Sequence, residues 1–167
     1  RIYLSNAATG NVFNGNIFIN YITNSNIYVG NSSGTSTLSN GKTINIIGVG
    51  ALGCGNLYLE EFTQLGGTTQ GIVMNGTGVL SIGPNSTFNG DLSTSTPRIY
   101  LLGSTFNGVS SFEKTGASND APAGGNTFNM DVNFINSGSG YFMMGNGTLD
   151  TYNGNVNITN SGTYNMY

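Results

Sequence analysis

Few groups in this chain can carry acid, base or nucleophilic chemistry: four Asp, three Glu, two Arg, two Lys, one Cys and no His among 167 residues. Asp91 and Asp131 stand three residues after Phe88 and Phe128 in matching segments, which would place them in one column of a stacked fold. Val109 occupies the same position between them, so two coils would separate the carboxyls by about 9.6 Å, with side chains free to diverge into water. A glycosidase needs two carboxyls ~5 to 9.5 Å apart, and a lyase needs a base beside cations, so this inventory is too thin for either. Glu60 and Glu61 are adjacent and would point oppositely on a strand, which fits a solvated turn. Asp120 or Asp150 with backbone carbonyls is the remaining place for a weak calcium ion, but the Asp-rich nonapeptide of calcium-binding repeats is missing and solvated side chains are expected. Cys54, between Gly53 and Gly55, has no His to activate it and reads as a small buried core residue. Gly48-Val49-Gly50-Ala51-Leu52-Gly53 follows the strand-like Thr43–Ile47. A dinucleotide site would also need a helix and a downstream acid; Cys54, Gly55 and Asn56 interrupt the first, and residues 68–75 contain no acid. The expectation is a Gly-rich turn, with no catalytic, cofactor-binding or metal-ligating residue and no enzymatic activity.

The elements that position these residues are legible as a repeat. Asn11-Val12-Phe13-Asn14-Gly15-Asn16-Ile17-Phe18-Ile19 returns as Ser86–Leu92, Ser104–Val109, Asn126–Phe134 and Asp150–Ile158, with weaker copies at Thr37–Gly41 and Glu61–Thr63. The signature is Thr, aromatic, Asn, Gly and then an alternating strand. Anchors fall at Phe13, Leu38, Phe62, Phe88, Phe106, Phe128 and Tyr152, spaced 25, 24, 26, 18, 22 and 24 residues. A second column precedes them at Ile2–Leu4, Ile27–Val29, Leu57–Leu59, Val79–Ile82, Ile99–Leu102 and Tyr141–Met144. Short β-branched and aromatic runs bounded by Asn, Gly and Ser predict strands; the one helical candidate, 57–65, is two turns at most. Recurrence of one side chain at one place in each unit predicts a single all-β domain over 1–167, a parallel β-solenoid of about six to seven coils of roughly 18–26 residues. The anchors should stack inside, and Asn14, Asn40, Asn89, Asn107, Asn129 and Asn153 should form a second ladder at a corner that tolerates left-handed backbone, eased by the following Gly. The stretch 114–125, with Ala121, Pro122 and Ala123 and no alternation, predicts a loop leaving the stack. Ser36-Thr37 and Thr94-Ser95-Thr96 show no recurrence in register, which argues against the flat threonine array of an ice-binding face.

Only 7% of residues are charged and the net charge is −3, so no basic stripe exists to displace counterions from nucleic acid. Frequent Phe, Tyr, Ile and Val argue against disorder. No run reaches the ~18 apolar residues of a membrane helix, and Arg1-Ile2-Tyr3-Leu4 lacks the pattern of a signal peptide, so no membrane insertion is expected. Neither terminal strand resembles a cap. The stack is expected to continue into further repeats of the same chain or to pair with identical chains.

The segments Gly-Asn-Thr-Phe-Asn (125–129), Val-Asn-Phe-Ile-Asn-Ser-Gly-Ser-Gly-Tyr (132–141) and Thr-Tyr-Asn-Gly-Asn-Val-Asn-Ile-Thr-Asn-Ser-Gly (151–162) resemble repeats of large secreted surface proteins of Bacteroidota. That resemblance, clearest over 86–167, implies a secreted adhesin or filament of the gliding or prey-grappling type, extracellular or at the cell surface. Two functions follow as expectations: a structural spacer or filament segment, and an adhesive module gripping cell-surface glycans. A carbohydrate-binding or carbohydrate-cleaving β-helix is the alternative. An exposed aromatic platform would favour adhesion, a uniformly polar exterior the spacer.

Overall fold

A computed structural model describes residues 1–5, 9–21, 24–31, 34–49, 53–121 and 123–167; every regular element among them is a strand. Every ladder between named strands is parallel, and the chain winds as a β-solenoid of about six turns with three faces. The first face stacks Ile2–Tyr3, Ile27–Gly30, Leu57–Leu59, Val79–Ile82 and Arg98–Leu101. The second carries seven strands: Val12–Phe13, Ser36–Leu38, Phe62–Gln64, Thr87–Phe88, Thr105–Phe106, Thr127–Phe128 and Thr151–Tyr152. The third begins with the pair Ile17–Tyr21 and Ile44–Val49 and continues through Gln70–Val73, Leu92–Thr96, Ser110–Lys114, Val132–Asn136 and Val156–Asn160.

Alternation decides which side of each strand meets the core. Val132 and Phe134 are buried, while Asn133 between them faces out and accepts from the Asn157 amide at 3.1 Å. Inside the second face the rings stack along the axis, with centroids 5.8 Å apart for Phe88 and Phe106, 5.0 Å for Phe106 and Phe128 and 5.1 Å for Phe128 and Tyr152. Phe112 and Phe134 of the third face meet this column edge-on, so two ring ladders interlock in one core.

The ladder departs from the expected anchors in one coil. Leu38 pairs with Gln64 and Gln64 with Phe88, whereas Phe62 lies opposite Ser36. A shift of two residues leaves the same side chains pointing inward, so hydrophobicity does not separate the two registers. Backbone bonds set the one observed, with the Leu65 N–H donating to the Leu38 carbonyl and the Asn89 N–H to the Gln64 carbonyl. Buried Gln64 accepts from the Gly90 N–H at 3.0 Å and donates to the Thr68 carbonyl at 3.2 Å. The stretch 57–65 is two strands around a corner at Glu60-Glu61, not a helix.

The asparagine ladder forms over four coils: Asn107 donates to Asn89 at 2.7 Å, Asn129 to Asn107 at 2.6 Å and Asn153 to Asn129 at 2.8 Å. Asn40 lies outside it. Ser39 takes that register and donates to Asn14 at 2.6 Å, and Leu65 stands in the following coil. The ladder asparagines do not adopt positive φ, which among described non-glycine residues occurs at Glu61 and Asn85. The Gly after Asn107 and Asn153 serves close approach instead: a Cβ on Gly108 would collide with the backbone of Gly90, and one on Gly154 with that of Met130.

The segment 114–125 remains tied to the stack at several points. Lys114 ends a third-face strand, Asp120 is buried, and Gly124 bridges Leu102 and Thr148. Pro122 lies outside the described residues.

Candidate functional site

The carboxylates considered for chemistry act as links between coils. Asp91 accepts the Val109 N–H at 2.9 Å, and Asp131 accepts the Asn155 N–H at 2.8 Å together with its side-chain amide. The bonds from Asn155 hold Asp131 below the usual carboxylate range. Register places Val109 between Asp91 and Asp131, one coil from each. Asp150 accepts from the Asn126 N–H at 2.8 Å and from the Tyr152 hydroxyl at 3.2 Å. The acids are distributed along the stack rather than converging on a point where a substrate would sit. Glu60 and Glu61 occupy the corner between first and second faces, where Glu61 has φ of 50° and accepts from Asn85 at 2.7 Å; burial, then the neighbouring Glu61 charge, raises the Glu60 pKa.

Asparagine and glutamine do the same work. Asn56 accepts the Val79 N–H at 2.9 Å, Asn16 the Thr43 N–H at 3.1 Å and Asn126 the Ser104 N–H at 3.1 Å. Buried Gln70 accepts the Ile44 N–H at 2.8 Å and donates to the Ile44 carbonyl at 2.9 Å, so its amide imitates a peptide group and joins the two-stranded sheet to the rest of the third face. At these breaks in the parallel ladder a side chain supplies the missing partner, as burial of backbone polar groups requires.

One corner holds charge that the sequence pattern does not reveal. Thr96, Lys114 and Asn136 occupy one register on the third face, are fully buried, and each bonds the backbone two residues on: Thr96 to the Arg98 carbonyl, Lys114 Nζ to the Gly116 carbonyl and Asn136 Oδ1 to the Gly138 N–H. Asp120 accepts the Ile99 N–H at 3.2 Å with Oδ1, while Oδ2 is buried without a partner. Burial pushes Asp120 up to about 7, against the pull of the Lys114 charge, the Ile99 N–H and Arg98. Burial likewise lowers Lys114. A hollow of about 140 Å³ between Thr77, Pro97, Arg98 and Ala117 adjoins this corner. The sequence offers no warning of it because 114–120 carries no alternation.

No family model, curated protein or solved structure matches this chain. Cys54 is a buried free thiol, 3.8 Å from the Asn75 amide oxygen. Of the GxGxxG stretch, Gly50, Ala51 and Leu52 lie outside the described residues; Gly48 and Val49 belong to the strand Ile44–Val49, and Gly53 has φ of 78°. Among the described residues no three His, Cys, Asp or Glu gather into a metal-ligand cluster, and no helix is long and apolar enough to cross a membrane.

The outer surfaces differ in kind. On the first face Tyr3, Tyr28 and Tyr58 stack with centroids 4.6 and 4.3 Å apart and planes within 17° and 7°. Their faces are directed at one another, and their edges point outward. On the second face Thr37 pairs with Thr63, Thr63 with Thr87, and the column continues through Thr105, Thr127 and Thr151. The row overturns the expectation that Ser36-Thr37 does not recur in register: the Thr of the repeat signature supplies Thr37, Thr87, Thr105, Thr127 and Thr151, and only Thr63 is masked by the misplaced Phe62 anchor.

Proposed function

We propose that this chain is a non-catalytic structural segment of an extracellular or cell-surface appendage or filament, in which the solenoid supplies length and stiffness. The observation that carries this reading is the self-similar stacking: Thr151–Tyr152 and Val156–Asn160 repeat the register of Thr127–Phe128 and Val132–Asn136 one coil on, so the recurring signature is itself what joins coil to coil. A stack built this way extends by further repeats of the same chain or of an identical one. Asp150–Ile158 and Asn11–Ile19 share the signature that already stacks coil on coil, so a head-to-tail contact would continue both the aromatic and the asparagine ladders. The distribution of the acids as coil-to-coil links supports the absence of catalysis in this reading. The self-stacked tyrosines favour a spacer over a glycan platform, which needs ring faces open to the sugar. The −3 net charge gives nucleic acid no purchase.

Sedimentation of the 167-residue chain tests the reading. Association that grows with concentration, and that Val156→Pro together with Ile158→Lys suppresses, is the expected result. A chain that stays monomeric at high concentration removes the support.

A further inference from the structure

Among the described residues, phenol rings stack face to face on one another only on the first face. We propose that Tyr28 and Tyr58 are a site of oxidative cross-linking, where a carbon–carbon bond between the two rings fastens neighbouring coils covalently. Parallel register sets Tyr28 opposite both Tyr3 and Tyr58. The Tyr28 and Tyr58 rings lie with centroids 4.3 Å apart and planes within 7°, against 4.6 Å and 17° for Tyr3 and Tyr28. At that separation and tilt the carbons ortho to the two hydroxyls lie at about van der Waals contact. Both rings are half-buried, so their edges stay within reach of a small oxidant. Ser81 follows Tyr58 in the column and ends the stack, which separates Tyr100 in the coil beyond from the other phenols.

Coupling needs two phenoxyl radicals held together. Each hydroxyl gives up one electron and one proton, and the unpaired spin spreads to the ortho carbons, where the new bond forms. The hydrogen on each of those carbons then moves to its ring oxygen and restores the phenol. The net change is the loss of one hydrogen atom from each ring. A peroxide takes both electrons as its O–O bond breaks, and from hydrogen peroxide the product is two waters. Holding the partners at contact turns a collision between chains into a step within one chain.

The hydroxyls are placed for this step. Tyr58 Oη accepts from the Asn56 side-chain amide at 3.2 Å and donates to no group among the described hydrogen bonds, so its proton is free to pass to water. The same amide donates to Asn26 at 3.1 Å, and the Asn26 side chain hydrogen-bonds the Tyr28 hydroxyl, so two linked amides hold both phenols in line. Other tyrosines are arranged differently. Tyr21 is buried and donates its hydroxyl to the Asn56 carbonyl at 3.1 Å. Tyr141 and Tyr167 meet edge to face, 5.6 Å apart and at 88°, which keeps their ortho carbons from overlapping. The Tyr28–Tyr58 bond joins coils in which Leu38 and Gln64 interrupt the ring column of the second face. Closing the loop between them restricts the unfolded chain, as a disulfide does.

The inference does not depend on end-to-end assembly. Its test is photo-oxidation of the dilute 167-residue chain with tris(bipyridine)ruthenium and persulfate, a peroxide whose oxidising equivalents arrive one electron at a time. The monomer band is then unfolded, cut with trypsin and analysed by mass spectrometry. Cleavage after Lys42 separates Tyr28 from Tyr58, the sole tyrosine of 43–98. The expected product is peptide 2–42 joined to 43–98 with two hydrogens missing, and with fragments that place the link at Tyr28. Dityrosine fluorescence of the monomer should be lost in Tyr28→Phe, which keeps the ring in the stack, and retained in Tyr100→Phe. The linked chain should need more urea to unfold than the unlinked one. A native monomer without dityrosine, or a link that maps to other tyrosines, overturns the proposal. So does an undiminished yield in Tyr28→Phe, loss of the signal in Tyr100→Phe, or an equal urea midpoint for linked and unlinked chains.

Discussion

The coils from Phe88 onward and those before it solve one problem by different means. In the later coils Phe88, Phe106, Phe128 and Tyr152 follow one another, and ring stacking with the amide ladder outside sets the register. In the earlier coils the same column reads Phe13, Leu38, Gln64, and the third face is split after Ile44–Val49. There, buried amides of Gln64 and Gln70 bind the backbone of neighbouring coils directly. The later coils also have an interruption, at the end of the first face after Arg98–Leu101, but a carboxylate fills it: Asp120 takes the Ile99 N–H. An amide performs this role identically at every pH. A carboxylate does not.

Removing a ring from the regular half should have the largest effect. Phe106→Ala leaves a cavity between two stacked rings and should cost about 3–5 kcal/mol in urea denaturation. Phe13→Ala, whose partner in the next coil is Leu38 rather than a ring, should cost less; equal losses would break the contrast between the halves.

The interruption in the later coils should make stability depend on pH in an unusual direction. Asp120 has a folded pKa of about 7 against an ordinary 3.8, so the native chain retains a proton that the unfolded chain releases in that window. Stability contributed by this group is present at the acid end and declines as pH rises to about 7, by on the order of 2–4 kcal/mol. Denaturation curves across that range should show the decline, and Asp120→Asn should flatten it.

Smaller effects attach to the amide links. Gln70→Ala should cost about 1–3 kcal/mol, because the Ile44 N–H and carbonyl are left buried without their partners. Hydrogen exchange at the Ile44 amide should accelerate while that at Phe106 stays slow. Smallest of all, Asn107→Ala breaks an exposed ladder at one rung and should cost about 0.5–1 kcal/mol by thermal melting; a cost matching that of Gln70→Ala would erase the distinction between buried and exposed amides.

What the sequence disclosed followed from what repeats. Thr, aromatic, Asn and Gly recur because each stacks on its own copy, so the parallel coil, the Phe ladder and four rungs of the Asn ladder were legible from spacing. Gln64 was not, since an aromatic two residues away is the better hydrophobic anchor and a buried glutamine leaves no apolar trace. Asn40 reads as a rung because it precedes Gly41, although Ser39 holds that place. Lys114 and Asp120 were hidden for a related reason: charged residues in a stretch without alternation read as solvated, and only the fold shows that they are enclosed.

The direction of the backbone hydrogen bonds has a mechanical consequence. Strands run around the coil and their bonds run from coil to coil, along the length of the stack. Tension between the two ends therefore loads the coil interfaces in series, and they yield one after another instead of shearing together. Each release frees one coil of 18 to 26 residues, which is roughly 60–90 Å of extended chain. Drawn from its ends, the molecule lengthens in discrete steps, and a rung that rejoins takes that length up again.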